Sequence, residues 1–273
     1  GDKTCPIKVS KIPRNYSNYS SINNYTIIKN NSEKITLSDF VIDTKNNLLY
    51  ITYSKKNNSR DKMNNELYEY GIYVKKMSEE EKGNNASKVI INYDKLKPDD
   101  EYRLPDKIDN FFKNITKKIL NIALSCDSKV VFLSPFSSRK IFSFPTEALF
   151  NGSEQLNAIN FNEAYKNDLT TSIVAGNLGN LYFTGIENKI FYRAAQFDDD
   201  LSLFDYNGLN PSEGSYNDDS VPIKLSINNG KLYSVYKDIT DEIRSDKDFV
   251  LKTTIYESDI DKEKSYVNKC EGI

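Results

Sequence analysis

The 273-residue chain carries 37 basic and 39 acidic residues, a net charge of −2, and 38% apolar residues. That balance fits a folded globular protein and gives no global pull toward nucleic acid or acidic lipid. No run reaches the roughly 18–20 apolar residues that cross a bilayer as a helix, and the absence of His removes Ser-His-Asp and Cys-His nucleophiles, His-ligated metals and imidazole pH switches.

The first periodic segment is "DFVIDTKNNLLYITYS", beginning at Asp39. An apolar run, a turn of Asp, Lys and Asn and a second apolar run predict a strand–turn–strand unit. "ELYEYGIYV" supplies a third strand. The polar stretches Lys55–Asn65 and Ser78–Asn85 lack periodicity and read as loops. "DKIDNFFKNITKKI" places Ile108, Phe111, Phe112, Ile115 and Ile119 at helical spacing; an amphipathic helix and a loop followed by a strand both fit. "ILNIALSCDSKVVFLS" and "RKIFSF" then repeat the three-strand pattern, and "PTEALFNG" reads as one helical turn closed by Gly152. "TSIVAGNLGNLYFTG" with "NKIFYR", and "VPIKLSINNGKLYSVYK" with "DFVLKTTIY", repeat it twice more. Between these two, "DDDLSLFDYNGLNPSEGSYNDD" is full of turn formers and reads as a long surface loop.

Leu48, Val130, Leu181 and Leu232 head the second strands, at gaps of 82, 51 and 51 residues. A recurring meander of this length predicts an all-β fold, a β-propeller of five to six blades, complete or incomplete, as a single domain over residues 1–273. A lone meander has two apolar faces and cannot shield both; blades set around an axis shield each other.

Eight Asn-X-Ser/Thr sequons, at Asn15, Asn18, Asn24, Asn30, Asn57, Asn85, Asn114 and Asn151, favour a secreted glycoprotein, against a background of Asn-rich codon bias. The chain opens without an apolar leader, so it is expected to be cytosolic or already trimmed. Of the three cysteines, Cys5 and Cys270 would tie the chain ends together, and Cys126 reads equally as a small buried apolar residue.

"LNIALSCDSKVVFLSPFSSRKIFSFPTEALFNG" resembles the central signature of the yellow and major royal jelly proteins of insects, at Ala123, Leu124, Ser125, Ser134, Pro135, Ser137, Ser138, Thr146 and Leu149. "GNLGNLYFTGIENKIFYR", the closing "DFVLKTTIYESDIDKEKSYVNKCEG" and the opening "CPIKVSKI" are similar to further segments of that family. The resemblance implies a divergent member, shortened at its N-terminus, of a family of six-bladed propellers. Phe191, Tyr192 and Arg193 stand where the family continues Cys-Trp-Asn, so the usual partner of a terminal Cys is missing.

Propeller ligands sit at a mouth of the central channel, among the first strands of the units. The candidate channel residues are Asp39, Phe40, Asn121, Ile122, Ser172, Ile173 and Val221. Some family members bind biogenic amines, and the resemblance puts Val221 and Lys237 where their Thr and Asn stand; a Lys there opposes an ammonium. Asp198, Asp199, Asp200 and Asp205 offer oxygen ligands, but their spacing fits no EF-hand, and a solvated acidic loop is the simpler reading. No cofactor or metal is expected, and no catalytic residue is assigned. The function expected is binding of a small ligand in the channel, or of a protein partner on a loop face, by a secreted extracellular protein with no nucleic-acid or membrane-inserted role. The alternatives are an enzyme acting on aromatic amine or quinone melanin precursors, and a parasite surface recognition domain.

Overall fold

The computed structural model describes residues 8–11, 23–26, 35–60, 66–77, 87–91, 112, 119–136, 138–149, 162–165, 168–176, 180–186, 190–195, 207–209, 220–228, 231–238 and 253–259. Within them, β1 (Lys8–Lys11) and β2 (Asn23–Thr26) form a small antiparallel pair. The first large sheet is β3 (Ile35–Asp43), β4 (Leu48–Arg60), β5 (Glu66–Lys76) and β6 (Ser87–Ile91). The second is β7 (Leu120–Leu124), β8 (Val130–Pro135), β9 (Lys140–Pro145) and β10 (Asn162–Tyr165). β11 (Ile173–Ala175), β12 (Asn180–Gly185), β13 (Ile190–Ala195) and β14 (Asn207–Leu209) form the third. β15 (Ser220–Asn228), β16 (Lys231–Asp238) and β17 (Thr253–Asp259) form the fourth.

Each large sheet is an antiparallel meander in chain order. The first strands pack in succession, β3 on β7, β7 on β11 and β11 on β15. Successive meanders stacked through their leading strands are blades, and the architecture is all-β and propeller-like. The repeat predicts meanders of three or four strands, and the first three sheets have four, where β6, β10 and β14 follow the three strands read from the sequence.

Period-two alternation explains the packing. On β8, Val131 and Leu133 turn into a core with Tyr50, Ile72, Leu120, Ile122 and Phe144, between the first and second blades. Phe132, on the other face, joins Ala123, Ile173, Leu181 and Phe183 between the second and third. Tyr182, Leu225 and Leu232 fill the space between the third and fourth. Leu49, Ile51, Tyr53 and Tyr73 cluster on the face of the first blade that points away from the second. A one-residue slip would exchange these faces, so burial on both sides fixes the register.

The turns follow local chemistry. Asp43 closes the β3–β4 turn by accepting from the Asn46 N–H (3.0 Å) and from Asn46 Nδ2 (2.8 Å). Asn47 takes the left-handed conformation there (φ 55°), which Asn tolerates better than most residues. At Gly71, a Cβ would lie 2.4 Å from the Tyr53 ring, so the aromatic is laid across a strand position that only glycine leaves open. The predicted helical turn is a 3-10 turn at Thr146–Leu149.

Two sequence expectations change. The polar stretch from Lys55 is strand as far as Arg60, because Lys55, Lys56 and Arg60 pair with Glu69, Tyr68 and Glu66. Cross-strand pairing there outweighs the lack of apolar periodicity. The acidic stretch holds a short strand, β14, where Asn207 to Leu209 pair with β13; its four candidate calcium aspartates lie outside the described residues. Cys126, read as a small buried apolar residue or a bridge partner, is disulfide-bonded. Cys5 and Cys270 themselves lie outside the described residues, as does the 108–119 segment except Phe112 and Ile119. Of the sequons, Asn24 falls in β2 and Asn57 in β4; the other six lie outside the described residues.

Candidate functional site

Polar side chains stitch the leading strands together, one junction at a time. The Thr52 hydroxyl accepts from the Asp39 N–H (3.0 Å) and donates to the Leu120 carbonyl (2.6 Å), joining the first blade to the second. Asn121 Nδ2 donates to the carbonyls of Ser134 (3.1 Å) and Thr170 (3.0 Å), joining the second to the third. Thr171 Oγ1 donates to the Pro222 carbonyl (2.8 Å), and Ser172 Oγ accepts from the Leu225 N–H (3.1 Å), joining the third to the fourth. Strands this short leave backbone groups unpaired at the axis, and buried groups need partners.

The link between the fourth and first blades is of another kind. Lys224 Nζ, on β15, donates to Asp39 Oδ1, on β3, at 2.7 Å. Asp39 Oδ2 also accepts from the Ile122 N–H of the second blade (3.3 Å). One carboxylate therefore meets three blades. The Asp39 side chain is 8% exposed, while that of Lys224 is 51% exposed.

Both strands are irregular at this pair. The β3–β4 register shifts between Leu37 and Phe40, and the β15–β16 register shifts between Pro222 and Lys224. A β-bulge re-aims the side chains beside it, and bulges concentrate next to functional sites. The other two leading strands, β7 and β11, pair without a shift. Beyond the pair, Phe40 (62% exposed) and Ile42 (43% exposed) are the large apolar residues most open to solvent on β3. Lys224, Ser226 and Asn228 are the exposed positions of β15.

The sequence-predicted residues separate into groups. Asp39 forms the ion pair, and Phe40 is the exposed residue next to it in the chain. Asn121 and Ser172 are buried struts between blades. Ile122, Ile173 and Val221 are buried in inter-blade cores. Lys237 is on β16, a second strand, opposite Val221. Lys224 was missed. Its signal was Pro222 inside a predicted strand, because Pro removes a ladder donor and is confined to edges and bulges.

A second polar cluster lies at the β3–β4 turn. Ser128, in the β7–β8 turn with φ 62°, donates from Oγ to Asp43 Oδ1 (2.8 Å), pinning two blades at their turns. The neighbouring Tyr50 phenol has its pKa raised, first by burial and then by the Asp43 charge. It is inert at neutral pH, and the cluster reads as scaffold. Among the described residues no group of three or more acidic or Cys side chains is placed to hold a metal ion, and no helix is long and apolar enough to cross a membrane.

No family model matches the chain, and no curated protein matches it. Among solved structures it is similar to a luciferin-regenerating enzyme at 12% identity and a TM-score of 0.49, covering 87% of this chain and 66% of that one. It is similar to a virginiamycin B lyase from Staphylococcus aureus at 15% identity and 0.41, covering 85% and 58%. A calcium-binding regucalcin from Agrobacterium tumefaciens gives 8% and 0.40, covering 74% and 53%. The chain thus spans less than two thirds of the length of these proteins.

Proposed function

We propose that the protein is a secreted, glycosylated binding protein of the yellow and royal jelly type, and that it takes a small ligand at the axial mouth beside Asp39 and Lys224. The observation that carries this reading is the ion pair itself, set on two bulged leading strands with its ammonium half exposed. The other bonds between leading strands use hydroxyls and amides, and the remaining charged bonds between blades, Asp43 with Ser128 and Lys45 with the Asp127 carbonyl, lie at the turns. The reading of an extracellular setting is supported by the Cys126 disulfide, a bond that persists in oxidising compartments, and by the eight sequons. Kinship with the insect family rests on the Leu120–Gly152 signature.

The test is native mass spectrometry of the chain secreted from eukaryotic cells, followed by a small-molecule fragment screen. The expected result is glycan mass on the chain and fragments whose binding is lost in Lys224→Gln. A naked chain would remove the glycoprotein reading, and fragments indifferent to Lys224 would remove the site.

A further inference from the structure

Resting on that reading of the site, we infer that its ligand is an organic anion, an aromatic or aliphatic carboxylate, whose charged head meets Lys224 and whose apolar body lies against Phe40 and Ile42. The polarity follows from which groups are already engaged. Each Asp39 oxygen has a donor, Ile122 N–H on Oδ2 and Lys224 on Oδ1, and the side chain is nearly enclosed. An incoming amine would have to displace Lys224 and enter a covered position. The ammonium has three N–H donors, and among the described residues Asp39 is its one partner. No described residue engages its remaining donors, and the side chain is 51% exposed. The site therefore offers donors and positive charge outward, and acceptors inward.

The surroundings match an amphipathic anion. Ser226, exposed two residues along β15 from Lys224, lies on the same side of the strand by period two and adds a hydroxyl donor. Phe40 and Ile42 stand exposed two residues apart on β3, opposite Ile51 and Leu49 of β4, and give the strand that carries Asp39 an uncovered apolar face. A cation flanked by an apolar surface and a few polar groups is the composition of a small-molecule site, and a charge-assisted N–H···O⁻ bond orients the ligand.

The experiment uses two probes that differ in the sign of the head group, phenylacetate and phenethylamine, titrated into the full ¹⁵N-labelled chain and read by calorimetry and amide shifts. Phenylacetate is expected to shift amides on β3 and β15 and to bind in preference to phenethylamine. Lys224→Gln is expected to weaken phenylacetate by about tenfold or more. Lys224→Arg should restore most of that affinity, Phe40→Ser should lower it, and Lys231→Gln should leave it unchanged. Should Lys224→Gln not fold, the wild-type shifts decide: changes centred on Lys224, Ser226 and Phe40 sustain the inference, and changes elsewhere overturn it. Preference for phenethylamine at the same residues overturns the anion class and leaves the binding site standing. If neither probe, nor a fragment set of both charges, shifts β3 or β15, the inference and the proposed function both fall.

Discussion

Tyr50 shows how burial sets a residue's chemistry. Its hydroxyl is buried with no hydrogen-bond partner at bonding distance among the described residues, close enough to Asp43 for that carboxylate to oppose ionisation after burial has already done so. Tyr50→Phe is expected to change stability by less than about 1 kcal/mol at pH 7, because it deletes an unsatisfied polar atom. Alkaline behaviour should differ. The folded phenol holds its proton above the ordinary value of 10.0, whereas the unfolded phenol releases it near that value. The stability tied to this group is therefore complete below pH 10 and is lost as pH rises further. Denaturation curves between pH 9 and 11 should fall less steeply in the Phe variant; identical slopes would show that Tyr50 ionises equally in both states. Gly71 makes the opposite point. A methyl group there meets the Tyr53 ring, and Gly71→Ala should cost about 1–3 kcal/mol in a denaturant titration by overpacking.

At the scale of elements, the junctions between blades are where sequence reading ran short. The strand–turn–strand units were legible because period-two alternation and turn residues are local signals; β7, β8 and β9 fall where "LNIALS", "VVFLS" and "RKIFSF" placed them. The fourth strands were not legible, because β10 and β14 are only 4 and 3 residues long and carry too few residues to show a period. Nor could the sequence separate struts from ligand contacts. Asn121, Ser172 and Thr171 are polar residues on or beside leading strands, as Asp39 is, and only the partner across the junction distinguishes them. Thr171→Val tests that assignment. It leaves the Pro222 carbonyl without its donor (2.8 Å) and removes the hydroxyl contact with Thr184 (2.8 Å). The expected cost is about 1–3 kcal/mol, with faster amide exchange at Leu225 and Thr184. A loss below a few tenths of a kcal/mol would mean that the third and fourth blades are held by their apolar core alone.

For the whole molecule, the question is how the fourth blade is tied back to the first. Each earlier junction combines a core of Phe, Tyr, Leu and Ile with buried hydrogen bonds. Between β15 and β3 the described link is one charge-assisted bond from a half-exposed Lys to a nearly buried Asp. An exposed ion pair contributes up to about 1 kcal/mol, and a hydrogen bond to a buried charge about 1.5–3. This pair is intermediate, so a double-mutant cycle of Asp39→Asn and Lys224→Gln should give a coupling near 1–2 kcal/mol. Asp39→Asn should be the costlier single change. It also weakens the acceptor for the Ile122 N–H (3.3 Å), and so loosens the second blade along with the fourth, whereas Lys224→Gln releases the fourth blade alone. Amide exchange separates the two effects. In Lys224→Gln the quickening should be confined to β3 and β15; in Asp39→Asn it should reach Ile122 on β7. Coupling near zero, with unchanged exchange on both strands, would show that Lys224 holds nothing together and is free to serve the ligand alone.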